Sequence, residues 1–275
     1  MKTIIVPVDF SEHSENALKA AASLSRKNNA SIIAVHMMGL SDAVLTKSSA
    51  SDLEGMFYAQ LTQKRFQEFL DKDYLEGLNV SHTVKNFTVF SELDEVAQEH
   101  NADLIVMGSH GNSGLSELFV GSNTEKVVRS SETPVLVIKA STDFNVQTAI
   151  FACDYKSESI PAFTKTMRLF DALNVEPHLV YINLAGEGFL STSEIDTRIK
   201  YFILQLNNAA VKASDITIYA DYTVENGVFN YAAKMNADLI ALPTHGRRGM
   251  AHFFSGSIGE DIVNHSTLPV LTVKI

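Results

Sequence analysis

Asn101-Ala102-Asp103-Leu104-Ile105 returns later in the chain as Asn236-Ala237-Asp238-Leu239-Ile240, 135 residues on. The same offset relates His110-Gly111 to His245-Gly246, Gly121-Ser122 to Gly256-Ser257, and Pro134-Val135-Leu136 to Pro269-Val270-Leu271. Identity spread over four stretches with one constant offset marks a duplication, and a repeat of this length is domain-sized. Nearer the start of each half, Asp9 pairs with Asp154 and Val35 with Val180 at an offset of 145. The first half therefore carries ten extra residues between about positions 39 and 88. Two domains are expected, residues 1–142 and 147–275, with the linker between Ser141 and Gln147.

Composition bounds what such a pair can be. The chain has 275 residues and 45% apolar content, enough for a substantial core. One cysteine, Cys153, excludes an intrachain disulfide and a multi-cysteine metal site, and it reads as a small buried residue. Net charge is -10; residues 1–145 carry 12 basic and 19 acidic groups, and residues 146–275 carry 10 and 13. Neither half has a basic run, which argues against nucleic acid as a partner. The negative field also repels anions at long range, so any anion site must be local. Fully apolar runs are short, as in Val135-Leu136-Val137-Ile138, so no membrane span is expected. The opening Met1-Lys2-Thr3-Ile4-Ile5-Val6-Pro7-Val8-Asp9 does not read as a signal peptide, and a cytoplasmic protein is expected.

Each half alternates strands and helices. In the first, strands are predicted at Thr3–Val8, Ser31–Met38, Val80–Val84, Leu104–Met107 and Val135–Ile138. Ser11 is placed to cap a helix whose first turn holds Glu12 and Glu15, favourable at the positive helix end. A long helix is predicted from Asp52 to about Tyr74, burying Leu53, Met56, Phe57, Leu61, Phe66, Phe69 and Leu70. Shorter helices are predicted at Ser91–His100 and Ser122–Ser130. The second half repeats the order, with strands near Ala149–Ala152, Leu179–Ile182, Ile216–Tyr219, Leu239–Leu242 and Val270–Val273. Strands joined by helices imply an α/β fold with a parallel sheet covered on both faces. Ligands of such sheets sit beyond the carboxyl ends of the strands, where strand order reverses. That directs attention to the loops after the first and fourth strands.

The loop after the fourth strand reads Gly108-Ser109-His110-Gly111-Asn112-Ser113-Gly114, then Gly121-Ser122. Glycines let backbone N–H groups approach an anion, and the helix starting near Ser122 offers free N–H groups and a favourable dipole. The hydroxyls of Ser109 and Ser122 can add hydrogen bonds. From glycine spacing alone the stretch reads equally as a phosphate cradle or as a crossover loop.

The spacing Gly-x2-Gly-x9-Gly-Ser, filled by Gly108, Gly111, Gly121 and Ser122, resembles that of the ATP-binding universal stress proteins. The opening Val6-Pro7-Val8-Asp9-Phe10-Ser11, the strand end His36-Met37 and the closing Thr133-Pro134-Val135-Leu136-Val137-Ile138 are similar to the same family. The resemblance covers both halves. It implies a tandem of two open parallel five-stranded sheets of order 3-2-1-4-5, Rossmann-like and similar to the adenine nucleotide α-hydrolases. It further implies that the halves pair through their last strands as an intrachain pseudo-dimer, and it leaves a homodimer and an unknown protein partner open. The implied ligand is ATP or ADP, with or without Mg. In the first half, Pro7, Val8, Asp9, Met37, Met107, Gly108, Ser109, His110, Gly111, Gly121, Ser122 and Asn123 are the implied contacts. Asp9 would accept from ribose hydroxyls, with capping of the first helix as its structural alternative. Main chain at Val8 and Met37 would hold the adenine edge, and the 108–123 loop would cradle ribose and phosphates.

The implied contacts of the second half are Asp154, Ile182, Thr244, Gly246, Gly256 and Ser257. Here the pattern departs: Pro243 stands where the first glycine would be, and proline has no N–H. Arg247 and Arg248 either neutralise phosphate charge or form a solvated loop tip. No Gly-x4-Gly-Lys-Ser/Thr loop, His-Glu-x2-His pair or Gly-x-Ser-x-Gly elbow is present. The expected function is a nucleotide-binding stress-response regulator. The alternatives are a slow ATPase or adenine-nucleotide hydrolase, and an interaction scaffold with vestigial sites.

Overall fold

The computed structural model describes residues 1–37, 48–85, 92–109, 121–139, 144–206, 211–245 and 256–275, and within them all side chains but those of 48–58 and 256–257. The first half runs β1 (Thr3–Pro7), α1 (Glu12–Asn28), β2 (Ser31–Met37), α2 (Ser48–Leu70), β3 (Val80–Lys85), α3 (Leu93–Glu99), β4 (Leu104–Gly108), α4 (Ser122–Ser130) and β5 (Val135–Ile138). The second runs β6 (Thr148–Ala152), α5 (Ile160–Leu173), β7 (Glu176–Leu184), α6 (Thr192–Gln205), β8 (Ile216–Asp221), α7 (Val224–Met235), β9 (Leu239–Thr244), α8 (Gly256–His265) and β10 (Val270–Lys274).

The ten strands form one sheet in the order β3-β2-β1-β4-β5-β10-β9-β6-β7-β8. Each half keeps the expected order 3-2-1-4-5, and every pairing within a half is parallel. The two five-stranded sheets meet through their last strands, as the resemblance implies, and run on as one sheet. β5 and β10 pair antiparallel, with Leu136 opposite Leu271, and fuse the two into one. The reason is the edge itself: Val135–Ile138 is buried along its whole length, and an apolar strand left bare would expose unpaired N–H and C=O groups.

Side chains alternate between the faces of the sheet, as strand geometry requires. Ile4 and Val6 of β1 face one layer with Leu18 of α1, Phe66 of α2, Phe163 of α5 and Phe202 of α6. Ile5 faces the other, with Leu93 of α3, Val127 of α4, Val228 of α7 and Ile262 of α8. In α2 the predicted face holds at Phe66 and Phe69, which are buried, whereas Leu61 is 38% exposed. Leu53, Met56 and Phe57 have side chains outside the described set. The expected linker ends in packed structure, since Phe144 and Val146 both enter the core. Among the described residues no helix is long and apolar enough to cross a membrane.

The repeated Asn-Ala-Asp motif is explained by its geometry. Asn101 and Asn236 adopt left-handed backbone (φ 47 and 49) just after α3 and α7, a conformation asparagine tolerates better than most residues. The chain then turns so that the Ala102 and Ala237 amides reach back to Ala97 and Ala232 carbonyls. The aspartates staple the neighbouring strand start. Asp103 Oδ2 accepts from the Lys2 and Thr3 amides at 2.5 and 3.1 Å, and Asp238 Oδ2 from Gln147 and Thr148 at 3.0 Å each.

One further carboxylate, Asp94 of α3, ties that helix to the turn between α4 and β5. Its Oδ1 accepts from Ser131 Oγ at 2.7 Å and from the Glu132 and Thr133 amides at 3.1 and 3.0 Å. Burial pushes its pKa up, but these hydrogen bonds outweigh that and hold it below the usual carboxylate value. The resulting stability is present above the unfolded value near 3.9 and is lost as pH falls through the lower folded value. Asp94→Asn should cost about 1–3 kcal/mol in urea unfolding at pH 7 and should weaken the pH dependence below 4. An unchanged midpoint would refute the staple.

Candidate functional site

The carboxyl ends of β1, β2 and β4 and the amino end of α4 meet around a cleft in the first half. Pro7, Val8, Asp9, Ser14, Val35, His36, Met37, Met107, Gly108 and residues 121–124 line it. Its volume, counted to its open mouth, is about 680 Å³. It opens where strand order reverses between β1 and β4, the position such sheets reserve for ligands.

Local sequence builds each wall. After β1 the chain must leave the sheet and enter α1 within four residues. Asp9 Oδ1 accepts from the Ser11 amide at 3.0 Å and from Ser11 Oγ at 2.5 Å, closing a turn around Phe10. Phe10 is held at φ 63, a conformation that costs a bulky residue free energy. Its ring is offset by packing 4.7 Å from His36 and 5.1 Å from Phe66. Ser11 caps α1 as expected, accepting from the Ser14 amide at 3.2 Å. Asp9 thus closes the turn before α1, while Ser11 rather than Asp9 caps the helix, and Asp9 also lines the cleft.

The neighbouring main chain is partly committed. The Val8 amide donates to Val35 O at 2.8 Å. The Val8 carbonyl lies 2.7 Å from His36 Nδ1, which must carry the proton, since a carbonyl only accepts. A ligand edge at Val8 therefore has only the second lone pair of that carbonyl. His36, Ser14, Val35 and Thr124 complete the lining and were not singled out as site residues by sequence. A signal existed for His36, which precedes Met37 at the strand end.

Gly108 and Gly121 both line the cleft, and each also has a structural role. A Cβ on Gly108 would lie 2.6 Å from the His13 carbonyl oxygen, so this glycine lets α1 cross close over β4. Gly121 has φ -62, which any residue adopts, and its amide donates to Ser109 O at 2.8 Å. Ser109 is buried (1% exposed), its amide donates to Ile138 O, and it does not line the cleft. Its expected hydroxyl contact with a ligand is therefore not supported by its position.

Among the described residues, the first turn of α4 offers donors to an anion. The Glu125 amide closes the first intrahelical bond onto Gly121 O. The amides of Ser122, Asn123 and Thr124 precede it and have no acceptor within the helix. Thr124 Oγ1 donates to Gly108 O at 3.0 Å and pins the turn against the end of β4. His110 and Gly111 lie outside the described residues.

The second half is built differently at the matching place. Asp154 is only 2% exposed. Its Oδ1 accepts from Ser159 Oγ at 3.0 Å and from the Lys156 amide at 3.2 Å, and Lys156 Nζ lies 3.2 Å from Oδ2. Lys156 stands where the first half has Ser11, so an ammonium replaces a cap hydroxyl. Tyr155, at φ 51, fills the place of Phe10 and is buried against Phe202 at 5.3 Å. His245 Nε2 sits 3.8 Å from Glu158. Ile182 and Thr244 are buried in their strands. Gly256 and Ser257 begin α8, while Gly246, Arg247 and Arg248 lie outside the described residues. Cys153 is buried as expected, and burial beside Asp154 raises its thiol pKa.

Known proteins supply the class. The sequence profile described as the universal stress protein family matches residues 1–139 and 146–274. The chain belongs to the universal stress protein family, with two copies of the family unit in tandem. A universal stress protein of Methanocaldococcus jannaschii is 31% identical over 154 residues, covering 50% of this chain and 94% of that protein. One from Bacillus subtilis is 30% identical over 151 residues, covering 50% and 97%. Both relatives match about one half of this chain. Among solved structures, a universal stress protein from Archaeoglobus fulgidus superposes over 99% of this chain and 98% of its own, with a TM-score of 0.73 and 20% identity. That likeness supports the fold of the whole tandem.

The close approach at Gly108 makes a direct test. Gly108→Ala must displace α1 or β4, because the nearest neighbours of the new Cβ are main-chain atoms of His13 at 2.6 and 2.8 Å. Overpacking of this kind costs about 1–3 kcal/mol. The unfolding midpoint in guanidinium should drop accordingly, and a variant as stable as the parent would show that the contact relaxes freely.

Proposed function

We propose that this chain is a nucleotide-binding regulatory protein that holds one adenine nucleotide, ATP or ADP, in the first-half cleft. The observation that carries the reading is the convergence of Asp9 with the open first turn of α4 on one cleft at the strand-order reversal. Amides of Ser122, Asn123 and Thr124 suit a phosphate, and they do so through local dipoles that offset the net charge of -10. Asp9 suits ribose hydroxyls, and Met37 and Met107 give apolar surface for a base. The resemblance of Gly108, Gly111, Gly121 and Ser122 to the ATP-binding members supports the same ligand.

Binding is unequal between the halves in this reading. Asp154 is already neutralised by Lys156 and screened from solvent, and Pro243 cannot donate an amide. One nucleotide per chain is expected. Regulation would then act through the geometry of α4 and the loop before it.

Native mass spectrometry of the purified protein should show one nucleotide mass, and calorimetry with ATP should give a stoichiometry near one. Two equivalents would overturn the asymmetry, and none would overturn the nucleotide reading. Gly121→Val places a branched side chain at the cleft floor without a backbone penalty, because φ is already -62. Losing two or three charge-assisted hydrogen bonds costs on the order of 3–6 kcal/mol, enough to take a micromolar site beyond ordinary detection. Ser122→Ala should cost about 0.5–1.5 kcal/mol, the worth of one hydroxyl bond. A folded Gly121→Val protein that binds ATP like the parent would place the phosphate elsewhere.

A further inference from the structure

α4 has one end in the cleft and the other in the grip of the second half. Its first turn lines the cleft at Ser122, Asn123 and Thr124. At its last turn, Arg129 makes a two-pronged ion pair with Glu260 of α8, Nε to Oε1 at 2.7 Å and Nη2 to Oε2 at 2.6 Å. Lys274, at the end of β10, donates from Nζ to Ser130 O at 3.3 Å and pairs with Glu132 at 2.7 Å. Asn264 of α8 reaches Glu125 at 3.4 Å.

The grip is reciprocal. Lys139 follows β5 as Lys274 ends β10, at the repeat offset of 135. Lys139 Nζ donates to Val263 O and, at 3.4 Å, to Asn264 O at the end of α8. Each half therefore offers a lysine to the last carbonyls of the other half's helix, the end where a cation satisfies acceptors and opposes the dipole. Glu260 is 18% exposed, so its pair with Arg129 is shielded more than an ordinary surface pair.

A helix of nine residues has little stability of its own, so its direction is set by its buried face at Val127 and Val128 together with what holds its ends. At the cleft end the holds are Thr124 to Gly108 O and Gly121 to Ser109 O. At the far end they come from the second half. Amides that must converge on one anion tolerate little misdirection.

We propose that Arg129, Glu260 and Lys274 are positioning residues for the first-half cleft, so that the second half sets the aim of the α4 amides and hence the anion affinity. The proposal rests on the nucleotide reading of that cleft for its ligand, and on the helix contacts alone for its mechanics.

The test uses the full-length chain with Glu260→Gln, Lys274→Met, and the reversed pair Arg129→Glu with Glu260→Arg. Two readouts are taken: amide chemical shifts of Ser122, Asn123 and Thr124 in the ligand-free protein, and ATP affinity by calorimetry. Each single variant should move those three amides while β1 and β4 amides stay in place. Each should also weaken ATP binding by about three- to tenfold, the size of one lost shielded ion pair. The reversed pair should return both readouts toward the parent. Unmoved α4 amides with unchanged affinity would overturn the proposal, as would shifts spread equally over β1 and β4, which report general loosening. A parent chain that takes up no ATP would sink the nucleotide reading alone, and the amide shifts would still decide whether the second half aims α4.

Discussion

The constraint on which the architecture depends is the pair of apolar last strands. β5 and β10 are buried along nearly their whole length, and each carries an edge of backbone donors and acceptors that its own half cannot satisfy. Pairing them antiparallel satisfies both edges at once, with Leu136 opposite Leu271 across an approximate two-fold axis. Everything near the junction inherits that symmetry. Lys139 and Lys274 reach across it in opposite directions, and α4 and α8 lie side by side against it. The cleft of the first half is bounded by α4, so the sheet edge and the cleft share one helix.

The same backbone has been put to different use in the two halves. In the first, Gly108 allows α1 to approach β4 and Ser11 supplies a hydroxyl cap, leaving Asp9 on the cleft wall. In the second, Pro243, Lys156 and Tyr155 occupy the equivalent places, and Asp154 is enclosed by hydrogen bonds and an ammonium. Removing Lys156 would leave the buried Asp154 carboxylate without its counter-ion, a costly state for an enclosed charge. The duplication thus preserves topology while reassigning one aspartate from the cleft to the interior.

The strands were legible because short apolar runs bounded by turn residues leave little choice; Val135–Ile138 has the same bounds in sequence and structure. The capping of α1 was legible for a similarly local reason. What the sequence hides rests on contacts distant along the chain. Gly108 reads as a ligand-approach glycine, and only the fold adds that His13, 95 residues earlier, packs against it. Ser109 carries a suitable hydroxyl but is buried where β4 runs beside the end of β5. Leu61 belongs to an apolar face by spacing, yet it is 38% exposed. Lys156 is only two residues from Asp154, but nothing local shows that the carboxylate it meets is buried.

The fused sheet also changes how the fold responds to dilution. A chain carrying only one such half would have to find a second molecule to cover its last strand, and its integrity would then fall with concentration by mass action. Here the partner strand is tethered to the same backbone, and the segment between β5 and β6 spans only residues 139–147. A tether that short holds the effective concentration of the partner in the millimolar range or above, whatever the abundance of the protein. The junction therefore stays formed when the protein is scarce, and assembly is a property of the gene product itself rather than of how much of it the cell has made.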